Sequence, residues 1–252
     1  MKIKTRMMNN ILIAILICST TIIHAQQDTV FTKIDSDRNL IAFETTNKDL
    51  SIDKGTIKDG KLHGNLLHYF PNGVLMGMKQ YRHGVQDGVQ LYFDKTGLLS
   101  KQENYINDTL NGEMRTYTTS NNVRILQQSQ YYKNGKLDGL AIEYNNMGKT
   151  SSAEEYKAGI KNGRSIWYYN NGEPAMEQFY VNGILEGTQT VYNMNGVVIS
   201  QGKNKNGAKS GMWLEYFDNG KVKSEGNYTE DNKTGKWKYY DESGKLINEE
   251  NL

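Results

Sequence analysis

The sequence predicts an all-β protein, an elongated antiparallel β-meander of about eight stacked β-hairpin repeats. Three observations favour this fold: glycines recur with a 24-residue period, turn-forming residues surround a second glycine, and tyrosines take fixed places between them. The opening glycines are Gly64, Gly88, Gly112, Gly139, Gly163, Gly187, Gly211 and Gly235. Six of the seven intervals are of 24 residues and one is of 27. Such an array needs no central core, because each unit packs only on its neighbours.

Residues 1–25 are predicted to be a secretory signal peptide. Three basic residues lie within the first six positions, and the apolar run at 11–18 is short for a transmembrane helix. Ala25 offers a small residue for cleavage. We therefore expect export to the periplasm, the outer surface or the medium, with no transmembrane segment in the mature chain. An uncleaved N-terminal anchor and lipid attachment at Cys18 are the alternatives.

The charge of the mature chain gives little support for binding to polyanions. The predicted signal segment holds three of the 30 basic residues and no acid, so the mature chain has 27 basic and 28 acidic residues. No run of five basic residues occurs, so no nucleic-acid partner is predicted. Cys18 is the single cysteine, so a mature chain without it has no disulfide and no thiolate metal site.

Residues 26–54 are predicted to form an N-terminal capping region, followed by the repeat array at 55–252. The segments VFTKI and LIAFETT favour two short strands, with SDRN as the turn between them. An end unit of a repeat array must cover a face that has no neighbour, which is the role expected here.

Each repeat is predicted to be one hairpin and one connecting turn. After Gly163 come the strand-forming run SIWYY, the turn NNG and a second strand that ends near a tyrosine. A polar residue before glycine favours a tight hairpin turn, because glycine takes a positive φ without a Cβ clash. A looser turn, such as VNGILEG, is expected to return the chain to the next opening glycine.

Positions counted from the opening glycine predict which side chains share a face. Positions 3 and 5, together with 11 and 17 on the second strand, are expected to form one face with ladders of tyrosine and aliphatic side chains. Positions 2, 4 and 6, with position 14, are expected to form a wetter face. The third repeat lacks the turn glycine and offers Asn121 and Asn122 instead, which favours a longer turn or a bulge; a bend or binding loop is the alternative.

Segments 139–163 and 211–246 resemble the MORN-repeat variant of bacteria, through a G-x-x-x-x-Y-x-x-x-G core that recurs in nearly every repeat. Proteins with these repeats are often labelled YwqK-family antitoxins. The resemblance covers about residues 55–252 and implies β-hairpin repeats that act as interaction surfaces. The antitoxin label implies a cytoplasmic partner, whereas residues 1–25 predict export. The segment TGKWKYYDESGKL, 234–246, is also similar to the aromatic repeats that bind cell walls.

The sequence predicts no catalytic site, no cofactor and no enzyme activity. A catalytic site brings unlike groups together, whereas repeats bring like groups together. His63, His68 and His83 lie near the first repeat, but their spacing fits no metal-ligand pattern, so no metal site is predicted.

The predicted function is therefore that of an exported, non-catalytic scaffold that binds a protein partner through its sheet. A cell-wall or glycan-binding module is one alternative, since exposed aromatic rings can stack on sugars. The candidate ligand-facing residues are Tyr92, Trp167, Trp213, Trp237 and Tyr239. An antitoxin-like partner of a toxin protein is the other alternative.

Overall fold

The computed structural model describes residues 28–35, 39–120 and 123–252. Over these residues the backbone forms 22 β-strands and no helix, which confirms the predicted all-β class. Accordingly, the described part of the chain holds no helix of the length and apolarity needed to cross a bilayer. The predicted signal peptide, residues 1–25, lies outside the described residues. So do 36–38 and 121–122, where parts of two predicted turns fall.

The chain divides into two compact units, Met1–Arg124 and Ile125–Leu252. The strands of the first unit are β1 (Asp28–Asp35), β2 (Leu40–Thr46), β3 (Ile52–Lys58), β4 (Lys61–Leu62), β5 (Gly64–Tyr69), β6 (Leu75–Arg82), β7 (Val85–Phe93), β8 (Leu99–Ile106), β9 (Thr109–Leu110) and β10 (Gly112–Ser120). The two strands predicted before residue 54 are thus β1 and β2. Successive strands pair antiparallel, except that the short β4 and β9 extend β5 and β10, so that β3 pairs with both β4 and β5 and β8 with both β9 and β10.

The second unit is also a meander. Its strands are β11 (Val123–Lys133), which starts two residues before the unit, β12 (Lys136–Tyr144), β13 (Thr150–Lys157), β14 (Ile160–Tyr168), β15 (Pro174–Val181), β16 (Ile184–Leu185), β17 (Gly187–Tyr192), β18 (Val198–Lys205), β19 (Ala208–Tyr216), β20 (Val222–Thr229), β21 (Asn232–Tyr240) and β22 (Leu246–Asn251). Consecutive strands again pair antiparallel, with β15 bound to both β16 and β17.

Two kinds of turn alternate along the array. The NNG turn is a three-residue loop, closed by hydrogen bonds from Tyr169 N to the Glu173 carbonyl and from Gly172 N to the Tyr169 carbonyl. The connection predicted to be looser is in fact the tighter one. Val181 pairs with Ile184 across a two-residue turn, in which Asn182 and Gly183 take φ values of 50° and 81°. Two successive positive φ values define the turn whose twist matches that of the flanking strands.

The opening glycine lies inside a strand or at its first residue, and in the fifth repeat it lies at a β-bulge against the preceding hairpin. The pairing register shifts between Glu154 and Tyr156, so that Glu155 alone faces the segment around Gly163. Gly163 has a φ of 119°, and a Cβ there would lie 3.0 Å from the Glu155 Cβ. The Glu155 carboxylate accepts the Arg164 backbone N–H at 3.0 Å. The 24-residue glycine signature therefore marks a bulge as well as the start of a repeat.

The two faces of the sheet follow from the register. On face 1, positions 0, 2 and 4 of the first strand lie opposite positions 17, 15 and 13 of the second; on face 2, positions 1 and 3 lie opposite 16 and 14. The fifth repeat shows this pairing as Gly163↔Tyr180, Ser165↔Gln178 and Trp167↔Met176 on face 1, and as Arg164↔Phe179 and Ile166↔Glu177 on face 2. Position 5 also lies on face 2, because the Tyr240 hydroxyl donates to Glu225, which Lys238 contacts as well.

The predicted faces are right for position 11, which pairs with position 5 as Tyr168↔Pro174, but wrong for positions 14 and 17. From position 4 back to the opening glycine, paired positions add up to 17, an odd number, so an odd position on the first strand faces an even position on the second. Position 17 consequently shares a face with positions 2 and 4, and position 14 shares one with positions 3 and 5. The face expected to be wetter is also the more buried one. Beyond residue 63, most buried side chains lie on face 1, and Ser129 and Thr190 are the exceptions.

The third repeat differs from the others in the length of its strands. Strand β10 has 9 residues and β11 has 11, whereas the equivalent strands of the first repeat, β5 and β6, have 6 and 8. The two strands together are six residues longer, which is more than the three additional residues of this repeat, so its strands also take in residues that form the turn in the first repeat. Asn121 and Asn122, where the longer turn was predicted, lie outside the described residues.

Candidate functional site

On face 1, the side chain at position 2 binds back to the preceding hairpin in three repeats, through Gln90, Trp213 and Trp237. The Gln90 side-chain amide donates to the Gln80 carbonyl at 3.2 Å. The Trp213 indole N–H donates to the Lys203 carbonyl at 3.0 Å, and the Trp237 indole N–H donates to the Asn227 carbonyl at 3.3 Å. Each accepting residue lies at the register shift of its strand. A side chain of the next hairpin thus satisfies a carbonyl at the bulge.

Two tryptophans on face 1 lie directly over glycines of the preceding strand. A Cβ built on Gly202 would overlap the Trp213 indole, and one built on Gly226 would overlap the Trp237 indole. Trp213 and Trp237 are only 2% and 1% exposed. Both had been predicted to be exposed, ligand-facing rings, and that prediction is wrong for these two. The sequence does contain a signal for this burial: a glycine lies eleven residues before each tryptophan and leaves room for its ring.

The tryptophans belong to a cluster of aromatic rings covered by lysines. Tyr228 lies edge-on between them, with its ring centroid 6.0 Å from that of Trp213 and 5.2 Å from that of Trp237. Lys209 Nζ lies 4.3 Å from the Trp213 centroid, and Lys233 Nζ lies 4.0 Å from the Trp237 centroid. Edge-to-face rings and cations over indole are favourable contacts. Packing within the protein therefore explains the aromatic residues of this cluster.

The other predicted aromatic residues are half-buried and do not form one group. Tyr92 lies in the first unit, and burial raises its pKa above the ordinary range of tyrosine. Trp167 lies under Lys161, whose Nζ is 5.3 Å from the ring centroid. Tyr239 lies 6.4 Å from Trp237, and its hydrogen bond to Glu250 raises its pKa to about 12. The structure thus brings together Tyr239 with the two buried tryptophans and leaves Trp167 several strands away.

A pairing of tyrosine with Glu or Gln on face 1 is not apparent from periodicity alone. The tyrosine at position 17 donates its hydroxyl to the side chain two residues earlier: Tyr105 to Glu103, Tyr132 to Gln130, Tyr156 to Glu154 and Tyr180 to Gln178, at 3.4, 3.0, 2.8 and 2.9 Å. Burial, with this hydrogen bond as the second cause, raises the pKa of Tyr156 to about 12. Where the earlier residue is Gly226, Tyr228 packs on tryptophan instead.

The three histidines near the first repeat fall into two groups. His68 Nδ1 binds the Asp53 carboxylate. The rings of His63 and His83 lie together, with centroids 5.0 Å apart and planes tilted by 52°. Within the described ranges, no cluster of three His, Cys, Asp or Glu side chains is arranged to hold a metal ion.

The chain matches the family model of the MORN repeat variant at four places, residues 62–83, 161–182, 209–230 and 233–252. The first three matches begin two residues before an opening glycine and end at the first residue of the next two-residue turn. The matched segment is therefore one hairpin with its bulge, which agrees with the structural repeat. No curated protein matches the chain. The match describes the repeat and gives no support for the YwqK-family label. The chain therefore contains MORN-variant repeats at these four places, within an array of hairpins of the same geometry.

Proposed function

We propose that the protein is an exported, non-catalytic scaffold that presents face 2 of its sheet to a protein partner. The supporting observation is a difference between the two faces. Face 1 is filled by the side chains of the repeats themselves, whereas face 2 leaves large apolar side chains exposed. They are Ile106, Tyr131, Leu140, Ile160, Phe179, Val181, Ile184 and Met212. Exposed apolar side chains on a regular surface favour binding of another macromolecule.

The repeat fold also favours scaffolding over catalysis. Stacked hairpins place equivalent side chains in rows, and the titratable groups described above pair with neighbours in the same or the adjacent hairpin. A reaction centre needs unlike groups around one point. The proposal of export depends on residues 1–25, whose basic start and short apolar run are typical of a signal peptide.

Site-specific photo-crosslinking in the native cell tests the proposed surface. A photoreactive amino acid at Met212, which is 53% exposed on face 2, should give covalent adducts with a protein. The same amino acid at Asn195, an exposed turn residue, is the matched control. Protein adducts at Met212 and few at Asn195 support the proposal. Equal labelling of both positions, or none at Met212, contradicts it.

Cell fractionation with N-terminal sequencing tests export and separates the proposal from the antitoxin-like alternative. An exported chain should be recovered outside the cytoplasm with Gln26 as its first residue. Recovery of the intact chain in the cytoplasm would contradict export and favour a toxin-binding role.

Binding to a cell-wall glycan is the second candidate, and it now depends on Tyr92, Trp167 and Tyr239. Trp167 is the most informative of these, because its half-buried ring lies on face 1 beside Lys161. Stacking of a sugar on this ring should change the tryptophan fluorescence when cell-wall polysaccharide is added. The change should disappear in Trp167→Phe, and a Trp213→Phe variant serves as the control because that ring is buried.

A further inference from the structure

One row of side chains on face 2 of the second unit has an apolar centre with a lysine next to it on either side. The row consists of the residues directly before and after each two-residue turn, which pair with each other across the turn. In strand order its members are Lys133, Lys136, Lys157, Ile160, Val181, Ile184, Lys205, Ala208, Thr229 and Asn232. Its centre, Ile160, Val181 and Ile184, is apolar over three successive strands, and the lysines on either side of it are exposed.

The centre of this row and the adjacent Phe179 form a contiguous apolar patch, which we define as Ile160, Phe179, Val181 and Ile184. Val181 and Ile184 lie directly opposite each other, and Phe179 is two residues before Val181 on the same face. The Ile160 Cγ2 lies 3.2 Å from a Cβ built on Gly183, in the turn that joins Val181 to Ile184. The four side chains are 51%, 39%, 52% and 50% exposed.

Folding of the hairpin does not require apolar side chains at these places. The same two positions hold Lys133 and Lys136 in one hairpin connection of this unit, and Thr229 and Asn232 in another. Those connections make the same turn with the same pairing. Strand propensity therefore does not explain the apolar patch, because polar residues occupy the equivalent exposed strand positions elsewhere in this unit.

The flanks of the apolar patch are positively charged. Lys157 lies opposite Ile160, and Lys205 lies on the far side of Ile184. Carboxylates on the adjoining strands are engaged: Glu155 accepts the Arg164 backbone N–H, Glu186 accepts the Asn206 backbone N–H, and Glu177 pairs with the Arg164 guanidinium. Among the residues that the structure describes, Lys157 and Lys205 are exposed and form no ion pair, so both are available to an occupant of negative charge.

We propose that the apolar patch and its flanking lysines bind an acidic, amphipathic segment of a protein partner. The occupant has apolar side chains that cover Ile160, Val181 and Ile184, with Asp or Glu side chains at its two ends. Lys157 and Lys205 are four strand spacings apart, roughly 19 Å. The patch and its two basic ends therefore match a short segment better than a whole domain. This inference rests on the proposed function and names the part of face 2 that the partner contacts.

The test starts from the full chain in its native cell, with a photoreactive amino acid at Ile184. Mass spectrometry of the adduct identifies the cross-linked peptide of the partner, which should be apolar in its centre and rich in Asp or Glu at its ends. Binding of that synthetic peptide to the purified chain is then measured by fluorescence anisotropy. Val181→Lys with Ile184→Lys, which copies the connection at Lys133 and Lys136, should weaken binding by about tenfold or more because two apolar contacts are lost.

Two further variants separate charge from folding. Lys157→Glu with Lys205→Glu should weaken binding about fivefold or more and reduce its dependence on salt. Thr229→Lys with Asn232→Lys changes the equivalent turn two hairpins away and should leave affinity within about twofold. Circular dichroism of all variants checks that the sheet is retained.

Several outcomes overturn this inference. They are adducts at Ile184 with lipid or with a second copy of this chain, a cross-linked peptide without acidic residues, or unchanged affinity in the Val181→Lys, Ile184→Lys variant. Protein adducts at Met212 with none at Ile184 overturn the inference and leave the proposed function standing. Absence of protein adducts at both positions contradicts both.

Discussion

The indole of Trp237 lies over Gly226 of the neighbouring strand, in the space that a Cβ at residue 226 would fill. The ring is 1% exposed, and its N–H donates to the Asn227 carbonyl. A glycine and a tryptophan on adjacent strands thus form one packing unit, and Gly202 with Trp213 repeats it one hairpin earlier.

The first prediction concerns this packing unit. Gly226→Ala should lower the free energy of unfolding by about 1–3 kcal/mol, because the added methyl group overlaps a buried ring. Trp237→Ala should cost about 3–5 kcal/mol through the loss of a large buried side chain. Urea denaturation followed by circular dichroism measures both.

The double variant Gly226→Ala, Trp237→Ala provides the control for that prediction. With the ring removed, the methyl group at residue 226 meets no indole, so its additional cost should fall below about 0.5 kcal/mol. A full and additive cost in the double variant would show that the strain at Gly226 comes from the backbone and not from Trp237.

The second prediction concerns the tyrosine hydroxyls of face 1. Tyr156→Phe removes the hydrogen bond to Glu154 and should lower the free energy of unfolding by about 1 kcal/mol. Tyr131→Phe is the matched control, since that ring is 49% exposed on face 2, and its cost should be within about 0.5 kcal/mol of zero. Equal costs for the two variants, measured by chemical denaturation, would argue against a stabilising role of the Tyr156 hydroxyl.

The third prediction is a loss of stability at alkaline pH. Folding raises the pKa of Tyr156 from its ordinary value of 10.0 to about 12, because burial and Glu154 disfavour the phenolate. A raised pKa means that the folded state holds its proton more tightly than the unfolded state does. The resulting stabilisation is complete below pH 10.0 and is lost as the pH rises toward 12.

Denaturation midpoints between pH 9 and 12 measure this effect. Tyr156→Phe should show a smaller decrease over that range than the unaltered chain, because it lacks one of the titrating groups. Identical pH profiles for the two proteins would contradict the predicted role of Tyr156.

The fourth prediction concerns the two-residue turns. Ala158 has a φ of 52°, at a place where Asn182 has a φ of 50° in the next hairpin. Asparagine tolerates this region better than alanine, so Ala158→Asn should stabilise the protein by about 0.5–1 kcal/mol. Asn182→Ala should destabilise it by a similar amount. Thermal unfolding of both variants checks whether the two changes have opposite signs.

Much of the fold could be predicted because its signals are local. The turn glycine and the tyrosine lie at fixed distances from each other within one hairpin. Their recurrence along the sequence therefore predicted both the succession of hairpins and the all-β class. The faces of the second strand could not be predicted in the same way. They depend on whether paired positions add up to an odd or an even number, which is set by register shifts such as that at Trp167 and Tyr168.

The candidate site was predicted less well than the fold, for a related reason. Trp213 and Trp237 were expected to be exposed because positions 2, 4 and 6 were assigned to the wetter face. Their burial depends on Gly202 and Gly226, which lie on another strand. The two isoleucines and the valine of the apolar patch were equally hard to find, since each lies in a different strand and only the pairing across the turn places them together.

The register shift at each opening glycine also bears on how such a chain changes in length. Each hairpin places its residues on the same two faces as the equivalent residues of the hairpin before it. Gain or loss of 24 residues therefore keeps every later side chain on its own side of the sheet. A gain of one residue inside a strand exchanges the two sides for the rest of that strand. Gene duplication of whole hairpins is thus the permitted route by which this protein could acquire or discard binding area.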